Sequence, residues 1–175
     1  MRAGVLAVAV SIGLSPFHLA AQTFRFSPST DNPRGHELVA VFVSSSTCVG
    51  NRRPGFLESI DPMNHSLAER ARGQGLPYVA VAVTTDWEPD SGYAYLRRLS
   101  KWNEVIVGRN WFNLGIAHYV WADTLTNPVV PEVILLERDT DMGTTRARIG
   151  NERVLARIVG ADSILSWVRR GTPLP

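Results

Sequence analysis

The stretch Leu38-Val-Ala-Val-Phe-Val-Ser-Ser-Ser-Thr-Cys-Val-Gly-Asn51 decides the fold. Its opening residues are apolar on both faces, with Val39, Val41 and Val43 on one and Ala40 and Phe42 on the other, as in a central strand covered on both sides. The strand runs into a serine-rich loop that carries Cys48, the single cysteine of 175 residues. A second stretch, Val129-Val-Pro-Glu-Val-Ile-Leu-Leu136, reads as another buried strand entered through Pro131, whose nitrogen cannot donate to a ladder.

Working outward from these two strands, the pattern alternates strand and helix. Asp61-Pro62 reads as an N-cap and first turn, followed by Met63, Leu67 and Ala71 on one face and a stop at Gly73-Gln-Gly75. Tyr78 to Thr84 is a second strand. Asp86-Trp-Glu-Pro-Asp90 is a turn, and a helix is expected from about Ser91 to Trp102, burying Tyr95, Leu96 and Leu99. Glu104 to Val107 is a short third strand. A loop with two large aromatics leads to a helix over Ile116 to Ala122. Val130 to Glu137 and Arg153 to Val159 are the last strands. Asp162 to Arg170 closes the chain as an amphipathic helix with an Asp cap. The region from Asp139 to Glu152 has no clear pattern. Alternating elements followed by two adjacent strands and a terminal helix indicate an α/β fold with a mixed sheet.

The N-terminus has a different character. Met1-Arg2 is a basic start, Ala3 to Leu14 is almost wholly apolar, and Leu19-Ala-Ala21 offers small residues for cleavage. Residues 1–21 are therefore expected to be a signal peptide, with export to the periplasm or the exterior. The apolar run is shorter than the roughly 20 residues of a spanning helix, and no later segment is long and apolar enough to span. Residues 22–36 read as an irregular lead-in, and residues 37–175 as one domain, a size that buries a real core.

Loss of Arg2 from 18 basic residues against 16 acidic ones leaves a formal charge of about +1. That balance points to neither nucleic acid nor an acidic surface. A lone cysteine cannot form a disulfide within the chain, so stability must come from packing.

The element order resembles the thioredoxin-like superfamily over roughly Glu37 to Arg170. The matching features are the strand into Ser-Ser-Ser-Thr-Cys48, Val130-Pro131, the run Val133 to Arg138, and Arg157-Ile-Val-Gly160 before the last helix. The resemblance implies a three-layer sandwich, a central mixed sheet flanked by helices, with an insertion before a strand that begins at a cis-proline. It implies that Pro131 follows a cis bond and lies beside Cys48. It also implies a groove in which Cys48 is the reactive residue and Thr47, Asn51, Val130 and Pro131 contact substrate.

The departures from that family limit the chemistry. Its Cys-x-x-Cys motif stands here as Cys48-Val-Gly-Asn51, and Asn51 cannot attack the sulfur of a mixed disulfide, which excludes reversible dithiol exchange by one chain. No carboxylate lies between Leu38 and Cys48, so the buried acid of typical relatives is expected to be missing. A thiol at a helix N-terminus, near Arg52 and Arg53, would favour thiolate. Two readings stay open: a monothiol oxidoreductase or thiol-binding protein, and a non-catalytic module that binds a peptide or protein partner in the same groove. In the second reading Cys48 packs as a small hydrophobe.

Other candidates are weaker. His36, His65 and His118 have no ligand spacing, so no metal or other cofactor is expected. Ser44, Ser45 and Ser46 lack a nucleophile context and read as loop and cap residues. Glu132 either lies near the thiol or points to solvent. Trp87, Trp111, Phe112 and Trp121 either line a groove or belong to the core.

Overall fold

The computed structural model describes residues 35–122, 128–142 and 147–175. The expected signal peptide and nearly all of the expected lead-in lie outside the described residues. The central strand β1 (Gly35–Ser44) is longer than its apolar run because its N-terminal end pairs with a long neighbour. The sheet order is β3-β2-β1-β4-β5, where β2 is Tyr78–Thr84, β3 Glu104–Ile106, β4 Glu132–Met142 and β5 Ala147–Val159. β1, β2 and β3 are parallel, β4 is antiparallel to β1, and β5 is antiparallel to β4. The poorly patterned region between the last strands is the outer half of this β4–β5 hairpin, and residues 143–146 lie outside the described residues. Its alternation is offset from the inner half by the register shift between Glu137 and Asp139, one of two in the ladder, which hid the period from the sequence.

The helices are α1 (Ile60–Gly73), α2 (Pro89–Leu96) and α3 (Ala161–Arg169). All three pack on one face of the sheet, where Ile60, Met63, Leu67, Tyr95, Leu96, Ile164 and Trp167 meet Ala40, Phe42, Ala82 and Val133. The opposite face, built from Val39, Val41, Val43, Val81, Val83, Ile134 and Leu136, is covered among the described residues by the segment carrying Trp111, Ile116, Tyr119 and Val120. The sheet is thus flanked on both faces, with a thin third layer. Residues 107–131 connect β3 to β4, and 123–127 lie outside the described residues.

Local chemistry explains where elements depart from expectation. α1 begins at Ile60 rather than after an Asp61 cap, because Pro62 falls in the first turn, where no intrahelical N–H bond is lost. α2 ends at Leu96, earlier than Trp102, whose indole instead donates to the Leu96 carbonyl. The expected helix at Ile116 is a single π-helical turn, Ile116–Val120, closed by Trp121 N–H to Ile116 C=O at 3.0 Å. Gly115 allows that turn to touch the sheet, since a Cβ there would lie 2.8 Å from Ile106 Cδ1 and 2.9 Å from Val83 Cγ1. α3 starts at Ala161 after Gly160 (φ +88°), so Asp162 lies inside its first turn rather than at the cap.

Candidate functional site

Parallel strands end on the same side of a sheet. The loops after β1, β2 and β3 therefore converge, and antiparallel β4 begins at the same end. This is the sheet end at which open α/β folds place ligands. Cys48 lies there, partly exposed, with its Sγ 3.5 Å from the Val130 carbonyl oxygen. The Val130–Pro131 peptide is cis. Gly50 packs directly on the proline ring, and a Cβ there would lie 2.8 Å from Pro131 Cδ. The fold thus brings Cys48, Val130 and Pro131 together across 82 positions of sequence.

The thiol's electrostatic setting differs from the sequence expectation. Cys48 precedes only a four-residue 3₁₀ turn, Val49–Arg52, and α1 does not begin until Ile60. A single short turn has little aligned dipole, so the expected helix N-terminus is not present at Cys48. Arg53 is also diverted. Its guanidinium makes two 2.6 Å contacts to Asp162 at the start of α3, which raises the arginine's pKa and lowers that of the carboxyl.

Asn51, three residues after Cys48, has its amide engaged in the loop. Nδ2 donates to the Ser45 carbonyl at 2.8 Å and the Ser46 carbonyl at 3.3 Å, while Oδ1 accepts the Tyr95 hydroxyl at 2.9 Å. Tyr95 lies within 3.1 Å of Ser44 Oγ. Burial pushes its pKa up to about 12; the bonds to Ser44 and Asn51 oppose that rise, and the nearby Cys48 and Asp86 add to it.

No carboxylate lies between Leu38 and Cys48, as read, but one reaches the serines of the same loop from just beyond the next strand. Asp86, 8% exposed just beyond β2, accepts from Ser46 Oγ at 2.6 Å, Ser46 N–H at 3.1 Å and Ser45 Oγ at 3.2 Å. Ser45 and Ser46 are thus loop residues, as read, but they are held by Asp86. Sequence reasoning missed Asp86 and the Tyr95 hydroxyl. The available signal was that β1 and β2 are neighbouring parallel strands, so a carboxylate after one must lie beside the loop after the other.

Thr47 is exposed and hydrogen-bonds Ser45 Oγ at 3.0 Å. The loops around it carry exposed Val49, Leu114 and Val129, with Trp87 64% and Phe112 67% exposed. These two aromatics are therefore not core, because they lie on the loops beyond the strand ends. Trp121 is also exposed, whereas Trp111 is partly buried and packs edge-on against it. Glu132 neither faces solvent nor stands as a free charge. It is buried and bonded to Arg157 at 2.9 Å. The histidines pair separately with carboxylates, His36 with Glu137 and Asp139, His65 with Asp61 and His118 with Glu152. Among the described residues no group of three His, Cys, Asp or Glu is placed to hold a metal.

No family model matches the chain, and no curated protein does. Two solved structures from Chlorobium tepidum are similar in backbone. One, described as a thiol:disulfide interchange protein DsbE, is 14% identical with a TM-score of 0.43. The other, a thiol:disulfide interchange protein of the thioredoxin family, is 10% identical with a TM-score of 0.34. Each match covers 78% of this chain and 81% of the other. The chain's own architecture is a mixed five-stranded α/β sheet covered on both faces.

Proposed function

We propose that this chain, as an exported thioredoxin-like protein of one domain, performs one-thiol redox or thiol-capture chemistry at Cys48. The observation that carries this reading is the partly exposed Cys48 Sγ, 3.5 Å from the Val130 carbonyl at the sheet end where four chain segments converge. In the step we infer, the Cys48 thiolate attacks one sulfur of a substrate disulfide. A Cys48–substrate disulfide forms, the substrate S–S bond breaks, and the second sulfur leaves as a thiolate. Turnover then needs an external thiol. It attacks the mixed disulfide, forms a new disulfide with the substrate sulfur and returns Cys48 to thiolate. Asn51 takes no part in electron transfer and is assigned to holding the loop. Thr47, Val130 and Pro131 are assigned to the wall against which substrate lies.

The alternative is a non-catalytic module that binds an extended apolar peptide or protein segment. It is favoured by the exposed rim of Val49, Trp87, Phe112, Leu114 and Val129. The two readings separate on the rate of Cys48 alkylation against pH. A sigmoid reaching its plateau below the ordinary thiol pKa of about 8.5 supports the redox reading. A thiol that stays unreactive across that range, in a protein that still binds peptide, supports the module. Without an added thiol, the protein should stop at one mixed disulfide with insulin per Cys48, and its Cys48→Ser variant should form none. Release of more than one equivalent of insulin thiol per Cys48 under those conditions would refute the one-thiol assignment.

A further inference from the structure

We propose that the outer edge of β5 docks a second copy of this chain, with the two β5 strands antiparallel across a two-fold axis at Val154. β5 is the outermost strand, and no described residue pairs with its outer side. Its ladder with β4 is irregular at two places. Leu135 and Leu136 oppose Ala156 and Val154, leaving Leu155 as an extra residue. Glu137 and Asp139 oppose Arg153 and Gly150, leaving two residues against one.

Counted along β4, Val159 opposes Glu132, Val154 opposes Leu136 and Ile149 opposes Thr140, so successive members are four ladder steps apart. Even spacing on the ladder puts all three on one face, which their uneven parity in sequence conceals. All three are exposed, at 42%, 50% and 49%. Three equally spaced apolar positions are symmetric about the middle one. Antiparallel pairing about Val154 sets it against its own copy and sets Val159 against Ile149 of the second copy. Such an interface is self-complementary, as a two-fold contact must be.

The charges between these positions agree with the same axis. Arg157 and Glu152 flank Val154 and line one cavity of about 340 Å³ with it, so they share its face. Pairing about Val154 brings Arg157 opposite Glu152 of the second copy rather than like against like. Both are already paired within the chain, Arg157 with Glu132 and Glu152 with His118, so they set register more than affinity.

This dimer does not supply a resolving thiol. β5 runs parallel to β1, so antiparallel docking sends the two Cys48 loops to opposite ends of the joined sheet. The two β1 strands would be five strand spacings apart, about 24 Å. The proposal is thus independent of what Cys48 does.

Sedimentation velocity of the mature chain over a concentration series should show a reversible dimer. Val154→Lys places two cations on the axis and should weaken dimerisation at least about tenfold, with an unchanged melting temperature at concentrations where both proteins are monomeric, since the residue is half exposed. A second variant tests register. Val154→Cys in a Cys48→Ser background, treated with diamide as acceptor of two protons and two electrons, should form a disulfide-linked dimer. Directly opposed strand residues have Cα atoms about 4.5–5.5 Å apart, within the disulfide range of about 4.4–6.8 Å. Arg153→Cys, which lies off the axis on the other face, should cross-link more slowly. A chain that stays monomeric throughout would overturn the proposal and identify the two bulges as protection of the edge. A dimer indifferent to Val154→Lys, or equal cross-linking rates for the two cysteines, would overturn it as well.

Discussion

Replacing Asn51 with alanine should destabilise the protein by about 2 kcal/mol, although the residue lies in a partly exposed loop. The magnitude follows from the bonds removed. The 2.8 Å bond to the Ser45 carbonyl and the 2.9 Å bond from the Tyr95 hydroxyl are worth about 1 kcal/mol each, and the 3.3 Å bond to Ser46 adds little. Tyr95 keeps Ser44 as a partner, so its hydroxyl is not left unsatisfied and the loss should not grow beyond that sum. For a chain of this size, about 2 kcal/mol is a fall of roughly 4–8 °C in Tm. Thermal unfolding by calorimetry, with Cys48 reduced, measures it. Asn51→Asp gives a signature that alanine cannot. It keeps an acceptor for Tyr95 but turns a carboxylate toward the carbonyls of Ser45 and Ser46. Its deficit against wild type should therefore be at least as large at neutral pH and narrow as the carboxyl protonates, toward about pH 4. If Asn51→Ala changed Tm by less than about 1 °C, the side chain would not be holding the loop, and its assignment as the loop's clamp would be wrong.

Gly50→Ala should cost about 1–3 kcal/mol, because its Cβ would lie 2.8 Å from Pro131 Cδ in a packed contact; an unchanged urea midpoint would refute that packing. Glu37→Gln should cost about 1.5 kcal/mol, since it removes one of the two carboxylates paired with buried Arg138 at the far end of the sheet and leaves Glu104, and chemical denaturation checks it. His36 has a raised pKa, chiefly from its hydrogen bond to Asp139, with burial opposing and Glu137 adding to the rise. Its contribution is complete below the unfolded value of about 6.5 and is lost as pH rises through the folded pKa, so wild type should gain on His36→Gln only on the acid side of that window. That gain should shrink again as Glu137 and Asp139 protonate, both being lowered in the fold, and a stability difference independent of pH would refute the pairing.

Much of the fold was legible because its central strands are apolar on both faces. Leu38 to Val43 and Tyr78 to Thr84 stand where that pattern put them, and the order of elements followed. Boundaries were less legible wherever tertiary contacts decided them. Trp102 and the end of α2 depend on an indole bond to Leu96, and the π turn at Ile116 depends on how closely Gly115 lets it approach Val83. Most hidden was the outer half of the β4–β5 hairpin. Its two bulges move Ile149, Val154 and Val159 onto one face while their numbering alternates between odd and even. A period-two reading of the sequence assigns them to different faces.

At the candidate site, the residue types were legible and their relations were not. A search within one strand for the buried acid ends at Cys48 and returns nothing, yet Asp86 reaches the same loop from the adjacent parallel strand. Three hydroxyl or N–H donors from Ser45 and Ser46 hold it there. Asn51 read as the mere absence of a thiol, but an amide offers two donors and an acceptor, and here they tie the Ser45 and Ser46 carbonyls to Tyr95. A thiol at position 51 could not make those bonds. The residue at 51 therefore leaves the loop without a second thiol and at the same time supports it. Asn51→Cys would introduce that thiol and remove the support, so gain of a dithiol and loss of loop stability would come from one substitution.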